Sequence, residues 1–308
     1  MRNLFISLLP FAMAAAPGVA AKPAVSGKLY PGPAPGSEGW MQPREAVACN
    51  GEISVYNTSE PRYDLFLPDA RRSSGAAVLL LPGGGLRVLG VGAGSDSAVQ
   101  TFLDHGVAVM RLEYRTLQVP APSIQRACAP RPTNGPPVRF SKMDIRNGNA
   151  NPAPGNADLE TVLKLAIADA QTGLELLHKM APQWRIDPGK IGVIGESAGG
   201  GVAFGTIFAT AAATSKPAFL ISIFGPSLQD VVPPENAPPI FLATEADHGP
   251  VTDGLVAVFS IWKNAGLKAE LHVYEVPNFS MTPALWGPRL FDWMIERGIL
   301  SPKGASRP

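Results

Sequence analysis

The chain has 308 residues, of which 45% are hydrophobic and 17% are charged, so it can bury the core of one large α/β domain. The formal net charge is +1, and basic residues alternate with acidic ones without forming a dense run. This balance argues against partners such as nucleic acid or an anionic membrane, and it favours a neutral or weakly charged substrate.

The first 21 residues have the layout of a secretory signal peptide. Arg2 precedes an apolar run from Leu4 to Ala16, and small residues follow up to Ala21. A membrane anchor is the alternative, but the run is interrupted by Pro10 and is shorter than the ~20 residues that a spanning helix needs. We therefore expect cleavage after Ala21, a secreted or periplasmic mature protein, and no integral membrane segment in it.

Residues 22–48 are rich in proline and glycine, which predicts an extended N-terminal arm with little regular structure. Residues 49–308 are predicted to form a single domain. Cys49 and Cys128 are the only cysteines. In an exported protein an even count permits a disulfide, and two buried free thiols are the alternative.

Short apolar segments alternate with helical patterns along the domain, which predicts a mostly parallel sheet covered by helices on both faces. An antiparallel hairpin at the start of the sheet fits the same pattern. The eight strand candidates are "EISVYN", "YDLFLP", "AAVLLLPGG", "VAVMRLEYR", "IGVIG", "AFLISIFG", "PIFLATEAD" and "AELHVYEV".

Four segments have apolar residues at helical spacing: "SDSAVQTFLDHG", "DLETVLKLAIADAQTGLELLHKM", "VTDGLVAVFSIWKNAG" and "LWGPRLFDWMIERG". The segment from Leu117 to Ala157 is instead rich in Pro, Asn and Gly, and it is longer than ordinary connections. It follows a predicted strand, so it should emerge at the carboxyl edge of the sheet, where open α/β folds bind ligands. A lid over the site and a solvated insertion are both compatible with this placement.

The segment "KIGVIGESAGGGVAFG" contains a G-x-S-x-G pattern from Gly195 to Gly199, with Ser197 at its centre. An apolar strand precedes the pattern and a small-residue helix follows it, which is the context of a nucleophile elbow. In such an elbow a strained turn lifts the serine hydroxyl above the sheet, and the helix N-terminus stabilises negative charge there. Ser197 is therefore the predicted nucleophile.

A second glycine segment, "LLLPGGGLRVLG", follows an earlier apolar strand. Amide groups without side-chain obstruction can donate hydrogen bonds to an oxyanion. We predict that Gly84, Gly85 and Ala198 supply the donors of an oxyanion hole.

With these motifs, the chain resembles the bacterial acetylxylan-esterase-like and carbohydrate-esterase-like proteins of the α/β-hydrolase fold, which are related to hormone-sensitive-lipase-type esterases. The resemblance covers nearly the whole mature chain except residues 117–157. It rests on "LYPGPAPG", "LFLPDARRSSGAAVLLLPGGGL", "LDHGVAVMRLEYR", "ADAQTGLELL", "WRIDPGKIGVIGESAGG", "PPIFLATEAD", "AGLKAELHVYEV" and "LFDWMIERGIL". It implies an eight-stranded sheet and a triad of the elbow serine, an Asp after the seventh strand and a His after the eighth. Ser197 and Asp247 match the first two positions.

The third position departs from the pattern. The stretch after the last strand is "EVPNFSMTPALW", with Phe279, or Asn278 in a shifted alignment, where the resemblance places histidine. Neither side chain accepts a proton at neutral pH, and a serine nucleophile needs a base. His105, His178 and His272 lie within predicted helices or strands, and we expect structural roles for them.

His248 is the remaining candidate base, because it follows Asp247 in the loop after the seventh strand. If this loop turns inward, the imidazole can reach Ser197, oriented by Asp247, Glu245 or Asp230. The alternative is a partly exposed loop histidine without a catalytic role.

Two functions follow from these observations. The first is an exported serine esterase that acts on small acyl esters through an acyl-enzyme at Ser197, with acetylated carbohydrate as the substrate that the resemblance implies. The second is a degenerate hydrolase-fold protein that binds a ligand without hydrolysing it, which the residue at position 279 favours. The sequence has no H-x-x-x-H or C-x-x-C motif, so we expect neither a metal nor another cofactor.

Overall fold

A computed structural model describes residues 21–49, 52–120, 142–209, 212–276 and 281–302. Its main sheet has eight strands, in the spatial order β1 (Val25–Lys28), β4 (Arg62–Phe66), β7 (Ala108–Glu113), β5 (Ala77–Leu81), β8 (Ile191–Glu196), β9 (Leu220–Ile223), β10 (Ile240–Glu245) and β11 (Ala269–Tyr274). The last six strands in this order are parallel. The first two, β1 and β4, are added antiparallel at one edge.

A second, antiparallel sheet has three strands: β2 (Glu45–Cys49), β3 (Glu52–Tyr56) and β6 (Val88–Gly90). The predicted strand "EISVYN" is β3, so it belongs to this small sheet and does not form a hairpin with "YDLFLP". The eighth strand of the main sheet is instead β1. β1 and β2 both lie in or at the end of the predicted N-terminal arm, and the predicted boundary after residue 48 falls within β2.

Among the described residues, five helices cover the two faces of the main sheet, as the alternating pattern predicted. They are α1 (Ala93–Asp104), α2 (Ala157–Trp184), α3 (Ala198–Phe208), α4 (Pro250–Asn264) and α5 (Pro283–Glu296). Alternate residues of β5 point to opposite faces, so Leu79 packs in the core under α2, α3 and α4, while Leu80 packs in the core under α1 and α5. Because both faces are covered, β5 is buried along its whole length.

A buried ion pair attaches the arm to the domain. Arg115 follows β7, and its Nη2 lies 2.7 Å from Oδ1 of Asp169 in α2, with the two side chains 1% and 0% exposed. The hydroxyl of Tyr30 donates to the same Oδ1 at 2.8 Å, and Arg115 also donates to the carbonyl of Pro35. The burial of Tyr30 and the charge of Asp169 raise the pKa of this phenol to about 12, so it remains a donor at neutral pH.

Several predictions lie wholly or partly outside the described residues: most of the signal peptide, Cys128, residues 121–141 of the long loop, and Asn278 and Phe279. The described end of the long loop packs against the loop after β9, where Asn147 and Asn149 each donate to Asp230 at 3.0 Å. None of the described helices is long and apolar enough to cross a bilayer.

Candidate active site

Ser197 lies between β8 and α3 with φ 49° and ψ −125°. Left-handed φ with this ψ is sparsely populated for a residue with a side chain, and it costs on the order of 1–3 kcal/mol. The turn is tight because Gly195 packs directly against the backbone of Gly199, where a Cβ atom would overlap the carbonyl. This strained strand-to-helix turn is the geometry in which the G-x-S-x-G pattern places a nucleophile.

Ala198 is the first residue of α3, and it follows Ser197 directly. The amides in the first turn of a helix have no carbonyl partner within the helix, so they can donate to an anion at the serine. The positive end of the helix dipole acts in the same direction.

The glycine loop after β5 lies beside Ser197. A Cβ atom on Gly83 would come within 2.9 Å of the Ser197 Cβ, and Gly84 has a φ of 140°, which a residue with a side chain rarely adopts. In the part of the chain that the structure describes, the amide of Gly84 donates to no backbone carbonyl. The hydroxyl of Tyr114 donates to the carbonyl of Pro82 at 2.6 Å and so fixes the start of this loop.

Ser197 opens on a cleft of about 520 Å³. Of the three predicted oxyanion donors, Gly84 lines this cleft, whereas Gly85 and Ala198 are not among the lining residues. The cleft is formed by the small sheet, the glycine loop, the start of α1 and the start of α5. Its described lining consists of Glu52, Ser54, Gly83, Gly84, Val88, Gly90, Gly94, Ser95, Ser97, Glu196, Ser197, Phe224, Met281, Thr282, Pro283 and Trp286.

Two carboxylates line the cleft, and the sequence analysis assigned neither of them to the site. Glu196 directly precedes Ser197, and burial, followed by the charge of Glu52, raises its pKa to about 7. Burial and the charge of Glu196 also raise the pKa of Tyr114 far above its usual value. Glu196 was available as a signal, because it occupies the first variable position of the G-x-S-x-G pattern.

His248 lies in the turn after β10, as the sequence analysis placed it. Its Nδ1 is 3.1 Å from Oε2 of Glu245, the last residue of β10, and the two side chains are 16% and 4% exposed. Burial lowers the pKa of His248, so the imidazole is neutral at neutral pH. Burial raises the pKa of Glu245, although this carboxylate accepts a hydrogen bond from the backbone amide of Met281.

Phe224 connects His248 to the cleft. Its ring lines the cleft and stacks on the imidazole, with 6.1 Å between ring centroids. His248 itself is not among the described residues that line the cleft. Phe224 therefore contacts His248 and also lines the cleft in front of Ser197.

The other predicted site residues are placed apart from this group. Asp247 is exposed. Asp230 binds the long loop, and the two hydrogen bonds that it accepts there lower its pKa. Within the described ranges, no three His, Cys, Asp or Glu side chains are grouped to hold a metal ion.

The three remaining histidines have contacts away from the cleft. Nδ1 of His105 donates to the carbonyl of Thr101 at 2.9 Å, and Nδ1 of His178 donates to the carbonyl of Leu174 at 2.9 Å. Nε2 of His272 lies 2.7 Å from Oε1 of Glu270 on the same strand.

Comparison with known proteins gives similarity at the level of the fold. No protein-family profile and no curated sequence matches the chain. Among solved structures, the chain is similar to an acetyl ester-xyloside bifunctional hydrolase from Caldicellulosiruptor lactoaceticus, with 17% identity, a TM-score of 0.53, and coverage of 79% of this chain and 90% of that one. It is similar to Thermogutta terrifontis esterase 2 phosphoramylated by tabun, with 17% identity, a TM-score of 0.54 and coverage of 89% and 99%. A putative carboxylesterase from Lactobacillus plantarum has 17% identity, a TM-score of 0.52 and coverage of 83% and 100%.

The chain is similar to these structures in fold, and its own mostly parallel eight-stranded sheet with helices on both faces is the architecture that the sequence predicted. The identities are too low to carry more than the fold. The chain therefore has the α/β-hydrolase fold, with Ser197 in the strained turn between its central strand β8 and helix α3.

Proposed function

We propose that this protein is a serine carboxylic-ester hydrolase that cleaves small acyl esters through an acyl-enzyme at Ser197. The observation that carries the proposal is the strained conformation of Ser197 at the N-terminus of α3, beside the Gly84 amide and facing the cleft. A fold retains such backbone strain only where the surrounding structure holds it in place, and strained residues cluster at active sites.

Acylation begins when Oγ of Ser197 attacks the carbonyl carbon of the ester and its proton passes to a base. The carbonyl oxygen becomes an oxyanion, which accepts hydrogen bonds from the amides of Gly84 and Ala198. When the intermediate collapses, the bond to the alcohol oxygen breaks and the alcohol takes the proton from the base. Water, activated by the same base, then attacks the acyl-enzyme and releases the carboxylic acid.

In this proposal the base is His248, and Glu245 orients it. Nδ1 of His248 faces the Glu245 carboxylate, and Nε2 is the ring nitrogen that takes the serine proton in this proposal. The lowered pKa keeps the imidazole in the form that accepts a proton at neutral pH. The proposal requires Phe224, which stacks on the imidazole and lines the cleft, to leave a path by which His248 can reach Ser197.

The substrate class is supported by the size of the cleft and by the similar structures. A volume of about 520 Å³ is within the range of ordinary small-molecule sites. Two of the similar proteins are described as an acetyl ester-xyloside hydrolase and an esterase, so acetylated carbohydrate is a reasonable first substrate to test. The signal-like segment before Ala21 supports export of the protein, and an exported enzyme would have access to acetylated carbohydrate outside the cell.

The proposal is tested by hydrolysis of p-nitrophenyl acetate by the purified chain and by Ser197→Ala and His248→Ala. Each substitution is expected to lower kcat at least about 10³-fold, because the nucleophile and its base act as one unit. Ser260→Ala, on the exposed side of α4, and His178→Ala, on α2, are matched controls that should retain activity.

A fluorophosphonate provides a second measurement, since Oγ of Ser197 should displace its fluoride and add the mass of the phosphonyl group in the parent chain and not in Ser197→Ala. Full turnover in His248→Ala would remove His248 from the mechanism while leaving the nucleophile. Turnover at background level that survives Ser197→Ala would contradict the esterase proposal and favour a ligand-binding role for the cleft.

A further inference from the structure

The cleft in front of Ser197 has an uneven distribution of charge. Glu52 and Glu196 line it, whereas its described lining contains no lysine, arginine or histidine. The chain as a whole carries a formal net charge of only +1, so this local excess of negative charge is not a reflection of the overall composition. It is a property of the wall that faces the substrate.

Glu52 is held in place by the second sheet and by α1. It is the first residue of β3, and its Oε1 accepts a hydrogen bond from the amide of Gly94 at 3.1 Å. Gly94 lies in the first turn of α1, where the helix dipole also favours a carboxylate. These contacts hold the exposed Glu52 side chain at the cleft, and within the described residues it forms no ion pair with a cation.

Glu196 lies at the end of β8, next to the reactive serine. Among charged side chains, Glu52 raises the pKa of Glu196, and the charge of Glu196 in turn raises the pKa of the Tyr114 phenol. The neighbouring strands β5 and β9 and the helix α3 contribute no charged side chain. Glu52 and Glu196 together therefore carry between one and two negative charges near neutral pH. Burial and the charge of Glu52 both oppose ionisation of Glu196.

We propose that Glu52 and Glu196 are specificity-determining residues, and that they make the cleft favour esters that carry an ammonium group over neutral or anionic esters. The proposal rests on the proposed function in that Ser197 performs the hydrolysis. A cation placed beside two carboxylates in the cleft is stabilised, and an anion there is repelled. Because both carboxylates line the space in front of the nucleophile, the discrimination applies to the part of the substrate nearest the ester.

The pair also predicts a characteristic pH dependence. Glu196 gains its charge as the pH rises through about 7, so the preference for a cationic ester over a neutral one should increase over that range. Removing the Glu52 charge lowers the pKa of Glu196, so the same increase should occur at lower pH in Glu52→Gln. In Glu196→Gln the increase should disappear.

The experiment compares kcat/KM for acetylthiocholine, for its neutral isostere S-acetyl-3,3-dimethylbutanethiol and for the anionic S-acetyl-3-mercaptopropionate, between pH 6 and pH 9. At pH 8 the ratio of cationic to neutral ester is expected to fall about tenfold in Glu52→Gln and in Glu196→Gln. Glu60→Gln is the matched control, since Glu60 is exposed and pairs with Lys28 away from the cleft. Glu60→Gln should retain the ratio of the parent chain.

A binding measurement separates this proposal from the proposed hydrolysis. In Ser197→Ala, which cannot form an acyl-enzyme, choline should raise Tm more than its neutral isostere 3,3-dimethylbutan-1-ol does, and Glu52→Gln in that background should abolish the difference. If the parent chain hydrolyses none of the esters but this binding preference holds, the esterase proposal fails and the charge proposal stands. Equal ratios in the parent chain and both glutamine variants, or equal shifts for choline and its isostere, would overturn the charge proposal.

Discussion

Replacing Asp169 with asparagine is expected to remove the only carboxylate that Arg115 contacts in the described structure. The two side chains are almost fully buried, with Nη2 of Arg115 2.7 Å from Oδ1. The Nε of Arg115 and its backbone amide also donate to Asp169, at 3.0 Å to Oδ2 in both cases. Asparagine keeps the shape of the side chain but leaves the guanidinium charge uncompensated in the interior.

The magnitude follows from burial. Removing one partner of a buried ion pair costs about 3–5 kcal/mol of unfolding free energy, because the remaining charge stays desolvated. Asp144→Asn is a matched control. Asp144 pairs with Arg146 at a similar 2.8 Å, but these side chains are 74% and 84% exposed. Exposed pairs contribute little to stability, so the control should leave the unfolding midpoint nearly unchanged.

The assay is urea unfolding of the purified chain, followed by circular dichroism and by tryptophan fluorescence. The expected result for Asp169→Asn is a lower midpoint with an unchanged slope, since the surface exposed on unfolding stays the same. A loss no larger than that of Asp144→Asn would refute the argument that burial makes this pair sensitive.

If Asp169→Asn does not accumulate as folded protein, the double variant Arg115→Met with Asp169→Leu decides the cause. It removes both charges, and exchanging a buried pair for apolar residues is often neutral. We therefore expect the double variant to be more stable than Asp169→Asn. Equal instability of the two would show that the uncompensated charge is not the reason.

Four further predictions concern the site. Gly195→Ala places a methyl group against the backbone of the first turn of α3, so it should lower kcat/KM for p-nitrophenyl acetate about 100-fold by displacing the nucleophile, with intact tryptophan fluorescence as the check on folding. Tyr114→Phe removes the hydrogen bond to the glycine loop, and it should lower the unfolding free energy by about 1–3 kcal/mol in urea titrations. The activity should fall as the pH drops through the lowered pKa of His248, since protonation removes the base, and a pH–rate profile measures this fall. Glu245→Gln should reduce kcat more than Asp247→Asn does, because Glu245 faces the imidazole. A larger loss of kcat in Asp247→Asn would assign the orienting role to Asp247.

The central part of the fold could be predicted from the sequence because its strands are buried on both faces. A strand such as β5 then consists of consecutive apolar residues, and this pattern depends on no distant partner. The helices α1, α2, α4 and α5 show apolar residues at helical spacing for a similar local reason, and α3 was predicted from the G-x-S-x-G pattern before it. The predicted α1 differs from the observed one chiefly at its start, which lies at Ala93 before the expected Ser95.

The edge of the main sheet and the second sheet could not be predicted in the same way. β1 has the sequence "VSGK", and its residues alternate between half-buried and exposed, so it carries little hydrophobic signal. It is a strand because β4 offers it hydrogen-bonding partners, and β6 exists only through its pairing with β3. Pairing between segments distant in the chain decides both cases, and no local pattern contains that information.

The same distinction applies to the site. Ser197 and the glycine loop were found because each belongs to a short turn whose chemistry is visible in consecutive residues. Glu52 reaches the cleft from the second sheet, and Tyr114 holds the glycine loop from the end of another strand. These contributions depend on tertiary structure.

The position of the orienting carboxylate shows how burial separates two candidates that sequence position treats alike. Glu245 and Asp247 are two residues apart, so a continuing strand would place both side chains on one face. β10 ends at Glu245, however, and the turn that follows leaves Asp247 exposed while Glu245 stays buried beside the Met281 amide and the imidazole of His248. A carboxylate orients an imidazole effectively only where water does not compete for the contact, and of these two residues Glu245 meets that condition.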